Sequence, residues 1–214
     1  MIEKRGKMDK VASTNDNPPI SMTTPKKSVL QLKPYISGKN TDYLFAQSTR
    51  IMKLDSNESS LPPSPRVTAA LAEFIQRSPL NWYPDMHAKH LVDRLGRYAG
   101  CPRNFIQIFN GSDSALETIC KTFIEPGDEV IISLPTYDHF RVYAESNDAQ
   151  LVPVKGACPF LPKMADLTAK VTGKTKIVYI VNPITNKAYS KEEIKTMLQK
   201  APKTLVIVDE AYFE

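Results

Sequence analysis

The chain has 214 residues, 42% hydrophobic and 24% charged, which is ordinary globular composition with enough apolar residues for one core. Its net charge of +5 comes partly from the N-terminal region, and the basic residues are not interleaved with aromatic ones, so nucleic-acid binding is not expected. Three cysteines without paired spacing indicate free thiols, and no apolar run approaches the ~20 residues of a membrane span. Without a hydrophobic signal core at the start, a cytoplasmic protein with no membrane partner is expected.

The first 28 residues are polar and carry few apolar side chains that could anchor them to a core. They include the run Ser13-Thr14-Asn15-Asp16-Asn17-Pro18-Pro19, whose composition is typical of disorder. We therefore predict a disordered N-terminal extension over residues 1–28 and one domain over residues 29–214.

From Ser64 onward the sequence alternates between helix and strand signals. Ser64 is a good N-cap before Pro65, a second helix is predicted to end at Gly100, and a third begins near Ser112. A fourth helix spans residues 137–146, and the capping box Ser190-Lys191-Glu192-Glu193 starts a fifth. Apolar residues recur at helical spacing in four of these helices: Val67, Leu71, Phe74 and Ile75; Leu91, Leu95 and Tyr98; Leu116, Ile119 and Phe123; and Ile194, Met197 and Leu198. The last two sets, which include Phe123 and Leu198, are expected to face the core.

Short apolar runs between these helices predict strands. Strands that alternate with helices indicate an α/β fold, with a mainly parallel sheet flanked by helices. In such sheets, ligands gather at the carboxyl ends of the strands. The predicted strands cover residues 105–109, 129–134, 150–154, 176–181 and 204–208.

The segment Asn110-Gly111-Ser112-Asp113 joins a predicted strand to a predicted helix. A phosphate is stabilised at a helix N-terminus by free backbone N–H groups and by the positive end of the helix dipole. Gly111 lets the backbone approach a ligand closely, and Ser112 adds a hydroxyl. The alternative interpretation is a purely structural helix cap, which such sequences also form.

Two further motifs follow predicted strands directly. Asp209 and Glu210 come after residues 204–208, where a carboxylate could pair with a protonated pyridine nitrogen. The alternatives for Asp209 are a helix N-cap or a magnesium ligand. Tyr137, in Pro135-Thr136-Tyr137, could stack on a flat ring, and its alternative is a core tyrosine.

In this order, the motifs resemble those of the class I/II aminotransferases and, more closely, of the histidinol-phosphate aminotransferases. The resemblance covers about Leu30 to Glu214. It implies the fold type I of pyridoxal 5′-phosphate (PLP) dependent transferases, of which this chain would form an incomplete large domain. The matching segments are Lys53-Leu54-Asp55-Ser56-Asn57-Glu58, Pro63-Ser64-Pro65, Asn81-Trp82-Tyr83-Pro84-Asp85, Asn110-Gly111-Ser112-Asp113, Glu125-Pro126-Gly127-Asp128-Glu129-Val130, Pro135-Thr136-Tyr137 and Val208-Asp209-Glu210-Ala211-Tyr212.

The resemblance implies that PLP is the cofactor and that an amino group moves between an L-amino acid such as glutamate and a keto or aldehyde acceptor. It also implies a homodimer with shared sites. The implied contacts are Gly111, Ser112 and Asp113 with the PLP phosphate, Tyr137 with the ring, Asp209 with the ring nitrogen, Tyr212 with the phenolic oxygen, Tyr83 with the phosphate of the neighbouring subunit, and Asn57 and Glu58 with the substrate.

Three features depart from the family pattern. The lysine that anchors PLP covalently lies, in this family, beyond the segment reached here, so no catalytic residue is assigned and the chain alone is expected to be inactive. The loop Val181-Asn182-Pro183-Ile184-Thr185-Asn186-Lys187 stands where the family has Asn-Asn-Pro-Thr-Gly, so Asn182 is the first candidate and Asn186 the second for the phenolic oxygen. Ser59-Ser60-Leu61-Pro62 replaces Asn-Pro-Tyr-Gly, which leaves the substrate open.

A non-catalytic protein that retains part of the PLP fold is the competing hypothesis, which the altered loop favours. His87 and His90 have a spacing that can bind metal, but no third ligand is evident and no metal site is expected. Residues 204–208 are expected to form an exposed apolar edge strand, which predicts poor solubility.

Overall fold

A four-stranded parallel sheet forms the centre of the fold. The structure is a computed structural model that describes residues 24–35, 56–156, 161–184 and 187–213. The strand order is β2-β1-β3-β4, and every neighbouring pair runs parallel, which confirms the predicted sheet. The strands are β1 (Glu129–Leu134), β2 (Gln150–Lys155), β3 (Thr175–Val181) and β4 (Leu205–Asp209).

Seven α-helices are found in the described ranges, and the five that were predicted are among them. A 3₁₀ turn at Arg103–Phe105 precedes the fourth helix. The helices are α1 (Lys27–Leu30), α2 (Pro65–Arg77), α3 (Lys89–Ala99), α4 (Gly111–Phe123), α5 (His139–Ser146), α6 (Met164–Thr168) and α7 (Lys191–Lys200).

The sheet is buried on both faces, which explains the continuous apolar runs of its strands. On one face, side chains of β1 and β3 pack against α4 and α5, in a cluster that contains Cys120, Phe140 and Tyr179. On the other face, they pack with α6 and α7, including Leu167 and Met197. Because side chains alternate along a strand, Val178 and Tyr179 belong to opposite clusters.

Local signals in the sequence set the helix ends as predicted. The Ser64 hydroxyl accepts a hydrogen bond from the N–H of Val67 at 3.4 Å. The side chains of Ser190 and Glu193 form the reciprocal capping box at the start of α7. Gly100 ends α3 in the left-handed conformation with φ 61°.

Three expectations about packing and strand formation are wrong. Residues 106–109 form no strand, because no other strand lies beside them among the described residues to complete a hydrogen-bonded ladder. Phe123 and Leu198 are about half exposed. In α4 the buried pair is Leu116 and Cys120, four residues apart, and the chain leaves the helix directly after Phe123.

Residues 24–28, which fall within the predicted N-terminal extension, are described by the structure. Helix α1 starts at Lys27, and the ammonium group of Lys26 donates to the carbonyl of Ser146 at 2.8 Å. The hydroxyl of Ser28, which is buried, donates to the same carbonyl at 3.3 Å. These bonds dock the short helix against α5, which the polar sequence does not reveal. Residues 1–23 lie outside the described ranges.

Two apolar surfaces stay open in the part of the chain that the structure describes. The face of α2 formed by Val67, Leu71, Phe74 and Ile75 is amphipathic as expected, yet all four side chains are exposed. Strand β4 has only β3 as a neighbour within the described sheet. Within these same ranges, no helix combines the length and apolarity needed to cross a membrane.

Candidate functional site

A cavity of about 700 Å³ opens at the carboxyl ends of the strands. It lies there because parallel strands deliver the loops that follow them to one edge of the sheet. The segments after β1, β3 and β4 and the start of α4 all contribute to its wall. The lining residues are Tyr35, Ser56, Asn57, Ser112, Asp113, Thr136, Tyr137, Val181, Pro183, Ile184, Asp209, Ala211 and Tyr212.

The N-terminus of α4 forms one wall of the cavity through Ser112 and Asp113. The first backbone N–H groups of a helix have no carbonyl partner within it, and the Asn110 side chain does not cap them. Gly111 has φ 74°, a left-handed conformation that favours glycine, although a Cβ atom there would meet nothing within 4 Å. The backbone thus reaches the helix through a turn that exposes N–H donors, which suits an anionic group.

Two polar atoms at the cavity wall are buried without a hydrogen-bond partner among the described residues. They are Oδ1 of Asp113 and Oγ1 of Thr136. Buried polar atoms in folded proteins are nearly always hydrogen-bonded. A ligand with donor and acceptor groups would satisfy both atoms, so this wall fits a polar cofactor better than an apolar one.

Tyr137, another residue of the cavity wall, lies beside a cluster of aromatic side chains. Its hydroxyl donates to Oδ2 of Asp113 at 3.2 Å and lies 3.4 Å from Nδ1 of His139. The His139 ring is stacked between Tyr35, at a centroid distance of 4.5 Å, and Tyr143, at 4.8 Å. Burial, followed by the hydrogen bond to Asp113, raises the pKa of the Tyr137 hydroxyl. The hydroxyl therefore stays protonated, and the ring is held beside the start of α4.

Asp209 lies at the end of β4, where both carboxylate oxygens have donors. The hydroxyl of Tyr179 donates to Oδ2 at 2.6 Å, and the N–H of Ala211 donates to Oδ1 at 3.2 Å. Tyr179 is fully buried, and burial, followed by the bond to Asp209, raises its pKa. A carboxylate at this position favours a cationic partner in the cavity.

Tyr179 lies behind the site, and no motif in the sequence indicates it. It pairs with Ile207 in the register of β3 and β4, and Asp209 follows Ile207 by two positions. Residues two apart on a strand point to the same face, so Tyr179 and Asp209 share a face on adjacent strands. A predicted register for these strands would have shown this relationship.

The structure brings together most, but not all, of the residues singled out in the sequence. Asn57, Ser112, Asp113, Tyr137, Asp209 and Tyr212 line the one cavity. Gly111, Glu58, Asn182 and Tyr83 are not among its lining residues. The side chain of Tyr83 is 97% exposed. Asn186 lies outside the described residues.

Asn182 has a different environment from the one expected. It is buried, and its Oδ1 accepts a hydrogen bond from the N–H of Tyr189 at 2.7 Å. Its neighbours Val181, Pro183 and Ile184 line the cavity in its place. Within the described ranges, no three His, Cys, Asp or Glu side chains, including His87 and His90, gather closely enough to hold a metal ion.

The chain is similar to known aminotransferases in sequence. The profile of the family "Aminotransferase class I and II" matches residues 49–214. A dihydroxyacetone phosphate transaminase of Campylobacter jejuni is 34% identical over 192 residues, which cover 88% of this chain and 52% of that protein. A histidinol-phosphate aminotransferase of Symbiobacterium thermophilum is 31% identical over 200 residues, which cover 90% and 54%. The chain thus spans about half the length of the curated relatives it matches.

Solved structures show the same likeness. The histidinol-phosphate aminotransferase of Sinorhizobium meliloti, determined in complex with pyridoxal-5′-phosphate, superposes with a TM-score of 0.75 at 26% identity, covering 90% of this chain and 52% of that one. The aspartate aminotransferase of Thermotoga maritima has a TM-score of 0.65 at 20% identity, covering 79% of this chain and 48% of its own, and so shows the fold alone. Together, the matched profile, the parallel sheet and the relatives show that the chain belongs to the class I and II aminotransferases, PLP-dependent enzymes of fold type I.

Proposed function

We propose that this chain is the cofactor-binding portion of a histidinol-phosphate-type aminotransferase. The single observation that carries the proposal is that the start of α4 and the Asp209 carboxylate line the same cavity. The start of α4 suits an anionic phosphate, and the Asp209 carboxylate suits a protonated ring nitrogen. A small molecule with both groups fits this arrangement, and PLP is such a molecule.

The residues that would hold PLP follow from their chemistry. Backbone N–H groups at Ser112 and Asp113, reached through the turn at Gly111, would bind the phosphate. The ring of Tyr137 would contact the pyridine ring, and the Asp209 carboxylate would hold the proton on its nitrogen. Tyr212 would bind the phenolic oxygen, and Asn182, the first candidate in its loop, is the alternative partner for that atom. When bound, PLP supplies an electron sink for negative charge at the Cα atom of an amino acid.

The chain's own residues would orient and polarise the cofactor. Asp209 favours the protonated nitrogen because an opposite charge at hydrogen-bond range stabilises a cation. The two donors on its carboxylate, from Tyr179 and Ala211, restrict how that side chain can turn. Thr136 and Tyr137 form part of the cavity wall beside the start of α4.

We further propose that the acceptor is a small phosphorylated keto or aldehyde compound and the donor an L-amino acid such as glutamate. The names of two relatives specify phosphorylated substrates, histidinol phosphate and dihydroxyacetone phosphate. Asn57 lines the cavity, and Glu58 follows it in the chain. The exposed ring of Tyr83 suits a contact with a second subunit in a cytoplasmic homodimer. Amino-group transfer itself would also need the family's PLP-anchoring lysine.

The test is a calorimetric titration of the purified chain with pyridoxamine 5′-phosphate. This form of the cofactor has an amine in place of the aldehyde, so it does not react with surface lysines. The Asp209→Asn variant should bind at least about tenfold more weakly, since a hydrogen bond to a charged group contributes about 1.5–3 kcal/mol. The control Glu210→Gln removes the same charge one residue away, outside the cavity lining, and should bind like the unmodified chain.

Two outcomes would contradict the proposal. One is the absence of saturable binding to the unmodified chain. The other is an equal loss of affinity in both variants, which would indicate a general charge effect. Binding without amino-group transfer in a chain that also carries a PLP-anchoring lysine would instead favour the non-catalytic alternative.

A further inference from the structure

We propose that Tyr179 is a positioning residue for the cofactor: its buried hydroxyl fixes the Asp209 carboxylate in the orientation that meets the ring nitrogen. The inference rests on the proposed function and extends it to a residue that does not itself line the cavity.

The contact between the two side chains is short and lies in a rigid setting. The Tyr179 hydroxyl and Asp209 Oδ2 are 2.6 Å apart, in the range of charge-assisted O–H···O⁻ bonds. The Tyr179 ring is fully buried and stacks on Phe140 with a centroid distance of 3.8 Å and an interplanar angle of 17°. The donor therefore cannot swing away without disturbing the core between the sheet and α5.

The second donor to Asp209 comes from a different direction. The N–H of Ala211 reaches Oδ1 at 3.2 Å, from the turn after β4. Donors on both oxygens hold the plane of the carboxylate, and each oxygen keeps a second lone pair for another partner. A carboxylate held in this way loses less conformational freedom when a ligand binds, which increases affinity.

A purely structural role for the bond is the competing explanation, because any buried tyrosine hydroxyl needs an acceptor. Tyr189 provides the matched comparison. Its hydroxyl is also buried and donates to the carbonyl of Pro162 at 2.8 Å, and it lies outside the cavity lining. Loss of either hydroxyl should cost stability, but only loss of the Tyr179 hydroxyl should change cofactor binding.

The experiment is a double-mutant cycle on the dissociation constant of pyridoxamine 5′-phosphate. Tyr179→Phe keeps the ring and its stacking on Phe140 and removes only the donor. We expect binding to weaken roughly three- to tenfold in Tyr179→Phe and to stay unchanged in Tyr189→Phe. In the Asp209→Asn background, Tyr179→Phe should have little further effect, because the two residues act through one contact.

Thermal unfolding without cofactor supplies an independent readout for both tyrosine variants. Comparable losses of Tm in the two variants, with loss of affinity in Tyr179→Phe alone, would support the inference. Unchanged affinity in Tyr179→Phe, or the same loss in the Asp209→Asn background, would overturn it and leave the proposed function standing. If the unmodified chain binds no pyridoxamine 5′-phosphate, both proposals fall together.

Discussion

The backbone N–H of Tyr189 donates to Oδ1 of Asn182 across 2.7 Å, and the N–H of Asn182 donates to the carbonyl of Asp209 across 2.8 Å. Asn182 thereby joins the end of β4 to the chain segment that leads into α7. This position was expected to contact the cofactor. Its main contribution in the described structure is to hold the loop beside the cavity.

Replacing Asn182 by Ala should therefore lower stability more than cofactor affinity. The buried N–H of Tyr189 would lose its acceptor, at a cost of about 1–3 kcal/mol in the free energy of unfolding. Urea denaturation measures this loss. A large loss of affinity for pyridoxamine 5′-phosphate at unchanged stability would point back to a direct cofactor contact.

Gly111→Ala should lower both stability and cofactor affinity. An alanine at φ 74° is strained by about 1–2 kcal/mol, and relief of that strain would turn the first N–H groups of α4 away from the cavity. Gly100→Ala is the control, since φ is 61° there and Gly100 lies outside the cavity lining. We expect similar losses in urea midpoint for both variants, and weaker binding of pyridoxamine 5′-phosphate for Gly111→Ala alone.

The protein should lose stability as the pH rises above about 10. Burial, with the nearby carboxylates of Asp113 and Glu117, raises the pKa of Tyr143 from its ordinary value of 10.0 to about 12. The unfolded chain therefore releases this proton first, so the stability from the neutral hydroxyl is present below pH 10 and is lost between pH 10 and about 12.

Tyr143→Phe should flatten that alkaline decline, because the ring still stacks on His139 but no longer titrates. The measurement is the urea midpoint at several pH values from neutral to strongly alkaline. Tyr83→Phe, at a ring that is almost entirely exposed, should leave the slope unchanged. Equal slopes in Tyr143→Phe and the unmodified chain would contradict the prediction.

Cys120 should resist thiol reagents until the protein unfolds. It is fully buried between α4 and the sheet, and burial raises its pKa to about 12, so little thiolate is present at neutral pH. In a Cys101→Ser/Cys158→Ser background, Ellman's reagent should react only after denaturant is added. The Cys120→Ser/Cys158→Ser chain, which keeps the partly exposed Cys101, should react while folded. Rapid reaction of Cys120 in the folded chain would show that this core opens readily.

Much of the fold could be predicted from local sequence because the local and tertiary preferences agree. The bounds of β1 were predicted exactly as the structure has them, since its apolar run is buried on both faces. The caps at Ser64 and Ser190 also act within one helical turn. The strand predicted for residues 106–109 was wrong for the opposite reason. A strand needs a neighbouring strand to pair with, and no local sequence pattern supplies one.

The candidate site was predictable where a motif follows a strand directly. Asp209 and Tyr137 line the cavity because parallel strands end at one edge, so their position along the chain is enough. Tyr179 was missed because its part depends on the register between β3 and β4. Asn182 was the first candidate for the cofactor because its loop stands where the family has Asn-Asn-Pro-Thr-Gly, but the direction of its side chain depends on the N–H of Tyr189.

The register between β3 and β4 also sets which side chain of β4 reaches the cavity. Five residue pairs, from Ile177 with Leu205 to Val181 with Asp209, set how far β4 advances. If β4 advanced by one residue, every side chain of the strand would turn to the opposite face, and the isopropyl group of Val208 would stand where the Asp209 carboxylate now lies. The position of the Asp209 carboxylate therefore depends on the alignment of one short ladder.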